Sequence, residues 1–314
     1  MTGYTEIMTD PSYRGQIMVF AAPTVGNYGW KRDHMESDAV QVSGVVTRSA
    51  YSAAGYLDSA LKESGIPGID RVDTRSLVLK IREKGTVRGV ISSRMEIPWD
   101  FPDPMKLDLV SEVVSNEVSR ISSGRKITAL VVDAGAKKSL LKRMSEIADL
   151  IVVPHGIDPA GYLGEADFIL VSNGPGDPSH TSLEPTVKFI GKQIGKKPVT
   201  GVCLGQQVIA LASGCTTYKM RYGHRGSNHA VTDGMNTWIT SHNHGYAVSE
   251  SSMEGSCLNV LQRDINDGTV EMVGNGEAGV LAAQYHPEGA PGSHDLSWFF
   301  ERVKKIVEDS VARG

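Results

Sequence analysis

The chain has 314 residues, 40% of them hydrophobic and 22% charged, with a formal net charge of -4. That length accommodates two domains of ordinary size, while the charge leaves no footprint for nucleic acid or an acidic membrane surface. No apolar run approaches the roughly 20 residues of a membrane span, and three widely separated cysteines exclude a disulfide framework, so a cytoplasmic protein is expected.

The opening "MTGYTEIMTDPSYRG" lacks the basic start and apolar core of a signal peptide. "RGQIMVFAAP" and "VQVSGVVTRS" then read as strands with turn residues between them. A helix is predicted in "AAGYLDSALKESG", closed by Gly65, and another in "DTRSLVLKIREKG", opened by Asp73 and closed by Gly85. After "EIPWDFPDP" a further helix is predicted from Met105 to about Arg120. The polar "RISSGRK" reads as a linker, which divides the chain into 1–120 and 121–314.

Beyond the linker the pattern changes. "ITALVVDAG", "DLIVVPHG", "ADFILVSNGPG" and "PVTGVCLG" are short continuous apolar runs ending in glycine, as strands buried on both faces of a parallel sheet require. Helical patterns separate them in "KKSLLKRMSEIA", "SLEPTVKFIGKQIG" and "GQQVIALASG", which is the alternation of an α/β domain. "NTWITSHN", "LNVLQRD", "GTVEMVG" and "GVLAAQYH" have strand character, so the sheet is expected to be mixed. "LSWFFERVKKIVEDSVA" ends the pattern as an amphipathic helix.

Gly201-Val-Cys203-Leu-Gly205 has the form of a nucleophile elbow with cysteine in place of serine. The flanking glycines remove side chains that would clash at a strained strand-to-helix corner. The following helix would aim its N–H groups at the sulfur and favour thiolate. Free cysteines are usually buried filler, and the pentapeptide taken alone leaves that reading and the catalytic one evenly matched. A nucleophilic thiol needs a base, and the base an orienting group. "AAQYHPEG" offers His286 and Glu288 two residues apart, on one side of an extended backbone. Gly174 and Gly176 of "LVSNGPGDPSH" follow a buried strand, where a turn can offer main-chain N–H groups to an oxyanion, with the N–H of Leu204 as second donor.

"NGPGDP", "GVCLGQQ" and "HPE" together resemble the class I, triad-type glutamine amidotransferase domain. "KMRYGHRGSNHAV", "SHNHGYAV", "MTGYTEIMTDPSYRGQI", "GNYG" and "IPGIDRVDTRSLVLKIREKG" narrow the resemblance to the carbamoyl-phosphate synthase small-subunit family, over nearly the whole chain. The resemblance implies an α/β fold: a C-terminal amidotransferase domain with a mixed, mainly parallel sheet flanked by helices, and a smaller N-terminal α/β domain. It implies that Cys203 attacks the glutamine amide, that His286 handles protons and that Glu288 orients His286. Glutamine would be held by Ser12, Gly174, Gly176, Leu204, Gln207, Asn243, Gly245 and Tyr246. The expected partner is a large synthetase subunit that receives ammonia and makes carbamoyl phosphate from bicarbonate with ATP and a divalent metal, in a heterodimer or a higher assembly. No cofactor is expected in this chain, and no Walker-type phosphate loop is present in it. The family usually begins a strand or two before the equivalent of "MTGY", so the N-terminal domain is expected to be short. Gln206 stands where many members carry histidine.

Two rival functions fit parts of the pattern: a stand-alone γ-glutamyl cysteine hydrolase, which the N-terminal third argues against, and a non-catalytic scaffold, which the intact Cys203, His286 and Glu288 argue against. His224, His229, His242 and His244 fall close together, but no cysteine or carboxylate completes a familiar ligand spacing, so no metal site is expected. Cys215 and Cys257 are expected to be structural thiols.

Overall fold

A computed structural model describes residues 3–51, 55–94, 96–97 and 100–312. Two sheets organise it. The small one is parallel, β1 (Ile17–Val19), β2 (Gly44–Val46) and β3 (Gly68–Ile69) in that order. It packs with α1 (Tyr4–Thr9) and α2 (Tyr56–Glu63) around Tyr4, Met8, Phe20, Val45 and Leu57. α3 (Thr74–Lys84) starts where the Asp73 carboxylate accepts from the Ser76 N–H, and stops at Gly85 with φ +92°. The caps read from the sequence are thus the ones used. The start of the predicted "AAGYLDSALKESG" helix lies outside the described residues.

The large sheet runs β10-β9-β11-β12-β13-β8-β7-β5-β6-β4. Its strands are β4 (Ser119–Ile121), β5 (Thr128–Asp133), β6 (Asp149–Pro154), β7 (Phe168–Val171), β8 (Val199–Val202), β9 (Thr217–Thr232), β10 (Thr237–Val248), β11 (Asn259–Asp264), β12 (Val270–Asn275) and β13 (Val280–Ala283). β13, β8, β7, β5 and β6 are mutually parallel, while the flanking pairs are antiparallel. Alternation along the central strands explains the two cores. Leu130, Val132, Ile169 and Val171 face α5 (Glu184–Gly191) and α6 (Leu204–Ala212), whose Phe189, Ile190, Val208 and Ile209 join them. Ala129, Val131, Phe168 and Leu170 face the other way, onto Leu140 and Met144 of α4 (Lys138–Ser145) and Phe299, Phe300, Val303 and Val307 of α7 (Trp298–Val311). Each strand is therefore apolar throughout, as a sheet covered on both faces demands.

Two predicted elements differ. The helix expected from Met105 to Arg120 is a 3₁₀ turn at Pro104–Lys106, irregular backbone, and β4. Asp108 caps the Ser111 N–H and hydroxyl and Ser115 accepts from the Glu117 N–H, so short polar side chains satisfy the backbone in place of helical bonds. Buried Leu109 and Val110 dock near Gly176 and the large sheet. The expected linker begins as an edge strand on β6, and its turn is tied down where the Asp149 carboxylate accepts from Ser122, Ser123 and Arg125. The division drawn at 120/121 falls inside β4.

Candidate active site

The parallel strands β5, β7, β8 and β13 all end at one edge of the sheet, and the segments after them meet there. After β8 comes Cys203 at φ 54°, ψ −107°; Arg71 is the other non-glycine residue with positive φ among the described residues. Such a conformation costs on the order of 1–3 kcal/mol and persists only where its surroundings enforce it. Here they do. A Cβ on Gly205 would lie 2.1 Å from the Val171 carbonyl oxygen, and one on Gly201 would lie 2.7 Å from the Gly205 carbonyl carbon. Only glycines let strand, corner and helix come this close. The Cys203 N–H donates to the Ala283 carbonyl (2.8 Å), and the thiol, 3% exposed, stands at the N-terminus of α6.

After β13 comes His286. The two-residue spacing to Glu288 works through a turn, not the extended backbone expected, because the Gly289 N–H closes back on the His286 carbonyl. The result is nonetheless the expected pair: His286 Nδ1 lies 2.7 Å from Glu288 Oε1. His286 Nε2 makes no hydrogen bond, and the Cys203 thiol is among the groups that favour the imidazolium. Burial penalises the charged ring, but Glu288 outweighs it and raises the imidazole to about 10. Burial likewise opposes ionisation of Glu288, yet Lys137 and His286 hold its carboxyl well below the usual range.

Nothing in the local sequence singles out Lys137. It follows β5, is 1% exposed, and places Nζ 3.0 Å from Glu288 Oε1, 3.9 Å from Asp10 Oδ2 and 2.5 Å from the Ala290 carbonyl. Burial alone would discharge it; Glu288, Asp10 and Glu36 together raise its pKa instead. Its position just past a central strand is the available signal, since that edge is where ligands and functional groups gather in such sheets. Gln284 is a second residue that sequence reasoning misses. Its Nε2 lies 3.7 Å from the Cys203 sulfur, and its Oε1 accepts from Gln207 Nε2.

The remaining expected residues lie on the loops and strands that meet Cys203 and the first turn of α6. Gly174 has no room for a side chain, since a Cβ would sit 2.1 Å from the Ala134 carbonyl oxygen and 2.9 Å from the Leu204 side chain. The "NGPG" loop therefore lies against the first turn of α6. Gly176 takes φ +94° beside Leu109. Ser12 comes from the other sheet's half of the chain, its hydroxyl accepting from Asn173 Nδ2 at 2.9 Å. On β10, the Asn243 carbonyl is 3.7 Å from the Cys203 sulfur, and both atoms of its buried side-chain amide lack a partner within the protein. Buried polar groups of that kind cost about 1–3 kcal/mol each unless something binds them. Gly245 lies against Arg225, and the Tyr246 carbonyl accepts from Gln207 Nε2 at 2.8 Å, which joins α6 to β10. The Tyr246 phenol is raised by burial and by neighbouring Asp177. Cys215 is buried and Cys257 exposed.

A profile of the family "Glutamine amidotransferase class-I" matches residues 130–306, and one of "Carbamoyl-phosphate synthase small chain, CPSase domain" matches residues 1–91. The carbamoyl phosphate synthase small chain of Thermoplasma acidophilum is 49% identical over 99% of this chain and 90% of its own length. That of Methanocaldococcus jannaschii is 39% identical over 98% and 90%. Among solved structures, a putative GMP synthase subunit from Thermoplasma acidophilum superimposes with TM-score 0.51 at 20% identity, covering 59% of this chain and 96% of that one. That likeness carries the fold of the large sheet.

Proposed function

Because the chain belongs to the carbamoyl phosphate synthase small chain family, whose members are the glutamine-hydrolysing subunits of that enzyme, we propose that Cys203, His286 and Glu288 carry its glutaminase reaction. His286, held as imidazolium by Glu288, already keeps the proton of the Cys203 thiol on Nε2 as the sulfur attacks the side-chain amide carbon of glutamine. The carbonyl becomes an oxyanion, held by main-chain N–H groups of the Gly174 loop and of Leu204. The C–N bond breaks as imidazolium protonates the departing nitrogen, giving ammonia and a γ-glutamyl thioester. His286 then takes a proton from water, hydroxide adds to the thioester, and the C–S bond breaks to release glutamate and restore the thiol. Glu288, charged because Lys137 stands behind it, keeps Nδ1–H fixed and Nε2 turned to the chemistry.

Glutamine recognition uses the same surface. Asn243, with an unpartnered amide, and Ser12, Gly176, Gly245, Tyr246 and Gln207 supply a polar rim for a small zwitterion. Ammonia would pass to a large synthetase subunit that forms carbamoyl phosphate from bicarbonate and ATP, for arginine and pyrimidine synthesis. The N-terminal match argues against a stand-alone hydrolase.

The observation that carries this reading is the 2.7 Å His286–Glu288 bond, with its free ring nitrogen on the side of a cysteine held in a strained corner. Cys203→Ser should abolish glutamine hydrolysis, while Cys215→Ser should leave it intact. Hydrolysis by the wild type should rise when the large synthetase partner is added. Persistence of hydrolysis in Cys203→Ser would refute the assignment.

A further inference from the structure

Beside the catalytic edge, β9, β10 and β12 bring four buried side chains to one point. His224, His242, His244 and Glu271 are 4%, 1%, 5% and 0% exposed, and their nearest ligand atoms all lie within 4.8 Å of one another. The carboxylate that no local spacing supplied comes from β12, almost thirty positions beyond the nearest of these histidines.

The hydrogen bonds on the outer side of each ring decide which nitrogen faces inward. His244 Nδ1 lies 2.9 Å from the Tyr246 carbonyl, which only accepts, so Nδ1 carries the proton and Nε2 a lone pair. Thr240 donates its hydroxyl to the His229 carbonyl, so it accepts from His242 Nε2 at 2.5 Å, and His242 Nδ1 is bare. His224 Nε2 meets Asp267 Oδ2 at 2.9 Å, leaving Nδ1 turned to Glu271 Oε1 at 3.0 Å. The two bare nitrogens of His242 and His244 stand 3.1 Å apart, and Glu271 Oε2, buried with no hydrogen-bond partner, is 3.5 Å from the first of them. His244 Nε2 is 3.7 Å from Glu271 Oε1. Lone pairs facing lone pairs and a carboxylate, away from water, repel unless a proton or a metal cation lies among them.

We propose that His224 Nδ1, His242 Nδ1, His244 Nε2 and the Glu271 carboxylate form a four-coordinate site for a divalent first-row metal, with zinc the best fit. Ligands around tetrahedral zinc, at bonds near 2.0–2.1 Å, stand about 3.3 Å from one another. Four of the contacts among these groups, 3.0 and 3.7 Å to Glu271 Oε1, 3.5 Å to Glu271 Oε2 and 3.1 Å between His242 and His244, bracket that value, and all the ligand atoms lie within 4.8 Å of one another. The outer partners obey the rule for metal-bound histidine, a carbonyl, a hydroxyl and a carboxylate each fixing one ring. Closed by four protein ligands, the site is structural. It joins β9, β10 and β12 directly behind Asn243 and Gly245, and so stiffens the strand that presents glutamine's rim.

The test uses the full-length chain, purified without a metal-affinity tag, stripped with chelator and titrated with Zn2+ or Co2+ alone; it needs no substrate and is independent of the glutaminase assignment. One equivalent of Zn2+ per chain is expected after gel filtration, and Co2+ should give the intense visible absorption of tetrahedral coordination. His242→Gln and Glu271→Gln should each lose the stoichiometric ion, and Asp267→Asn should bind about 10- to 100-fold more weakly. Cys203→Ser should keep its equivalent. If folded wild type holds no stoichiometric ion and gives no such Co2+ spectrum, the histidines share a proton and the site is refuted. It is refuted equally if Cys203→Ser loses the ion while Glu271→Gln retains it, since the metal then sits on the thiol.

Discussion

Lys137 touches Glu288, Asp10 and a main-chain carbonyl at the closed side of the catalytic pair. Removing one partner from a buried ionic cluster leaves charge without compensation, typically a loss of about 3–5 kcal/mol. Lys137→Met should therefore lower the urea unfolding free energy by that order and reduce kcat more than it changes KM for glutamine, because the lysine acts through Glu288 on His286. An unchanged kcat would separate Lys137 from the chemistry. His286 itself is linked to stability through its raised value. Its contribution is complete below the ordinary 6.5 and is lost as pH climbs through about 10. The stability gap between wild type and His286→Gln should shrink steadily across that window, whereas a gap constant with pH would contradict the Glu288-imidazolium pairing. Glu288 has the opposite sign: depressed in the fold, it stabilises above its ordinary 4.5 and loses that contribution as pH falls. The residues carrying this chemistry are legible in the sequence because cysteine between glycines and histidine two before glutamate are locally spaced. Lys137 and Gln284 are not, since their roles arise only when separate strands end at the same edge.

At the level of elements, the catalytic corner depends on contacts too short for any side chain. Gly205→Ala would press a methyl group to 2.1 Å from the Val171 carbonyl oxygen, which is backbone and has nowhere to go. Overpacking of this sort costs typically about 1–3 kcal/mol. The variant should melt earlier and lose glutaminase activity together, and a fully active, equally stable Gly205→Ala would mean the corner is not held as described. The same scale shows where pattern reading works. Runs such as "ITALVVD" and "DFILV" became β5 and β7 because both faces are covered, and Asp73 and Gly85 bounded α3 through caps that act locally. β9 carries no such signal. Its sixteen residues are mostly polar, with few apolar side chains, and what holds them extended is pairing with β10, including two register shifts, not their own periodicity. The failed helix after Met105 has the same origin: Leu109 and Val110 find burial across the chain, and aspartate and serine caps take over the backbone.

Across the whole molecule, the two sheets meet at the site. Ser12 bonds Asn173, Glu36 accepts from the Ser139 N–H and hydroxyl, Lys138 reaches Asp38, and Arg14 pairs with Glu112. Most of the exposed pairs among these contribute little; the buried Ser12 and Glu36 contacts fix the approach. Ser12→Ala should raise KM for glutamine several-fold with kcat nearly unchanged, a result no isolated amidotransferase domain would show; steady-state kinetics check it. The family resemblance alone makes Ser12 visible, because nothing in "DPSYRGQ" distinguishes it from an ordinary turn serine. The central claim is that one of three cysteines forms the bond to glutamine, and a glutamine-mimicking electrophile followed by peptide mass mapping tests it most directly. Stoichiometric labelling of Cys203, blocked by excess glutamine and absent from Cys215 and Cys257, is the predicted result; labelling at Cys215, or at exposed Cys257 in preference to Cys203, would contradict it.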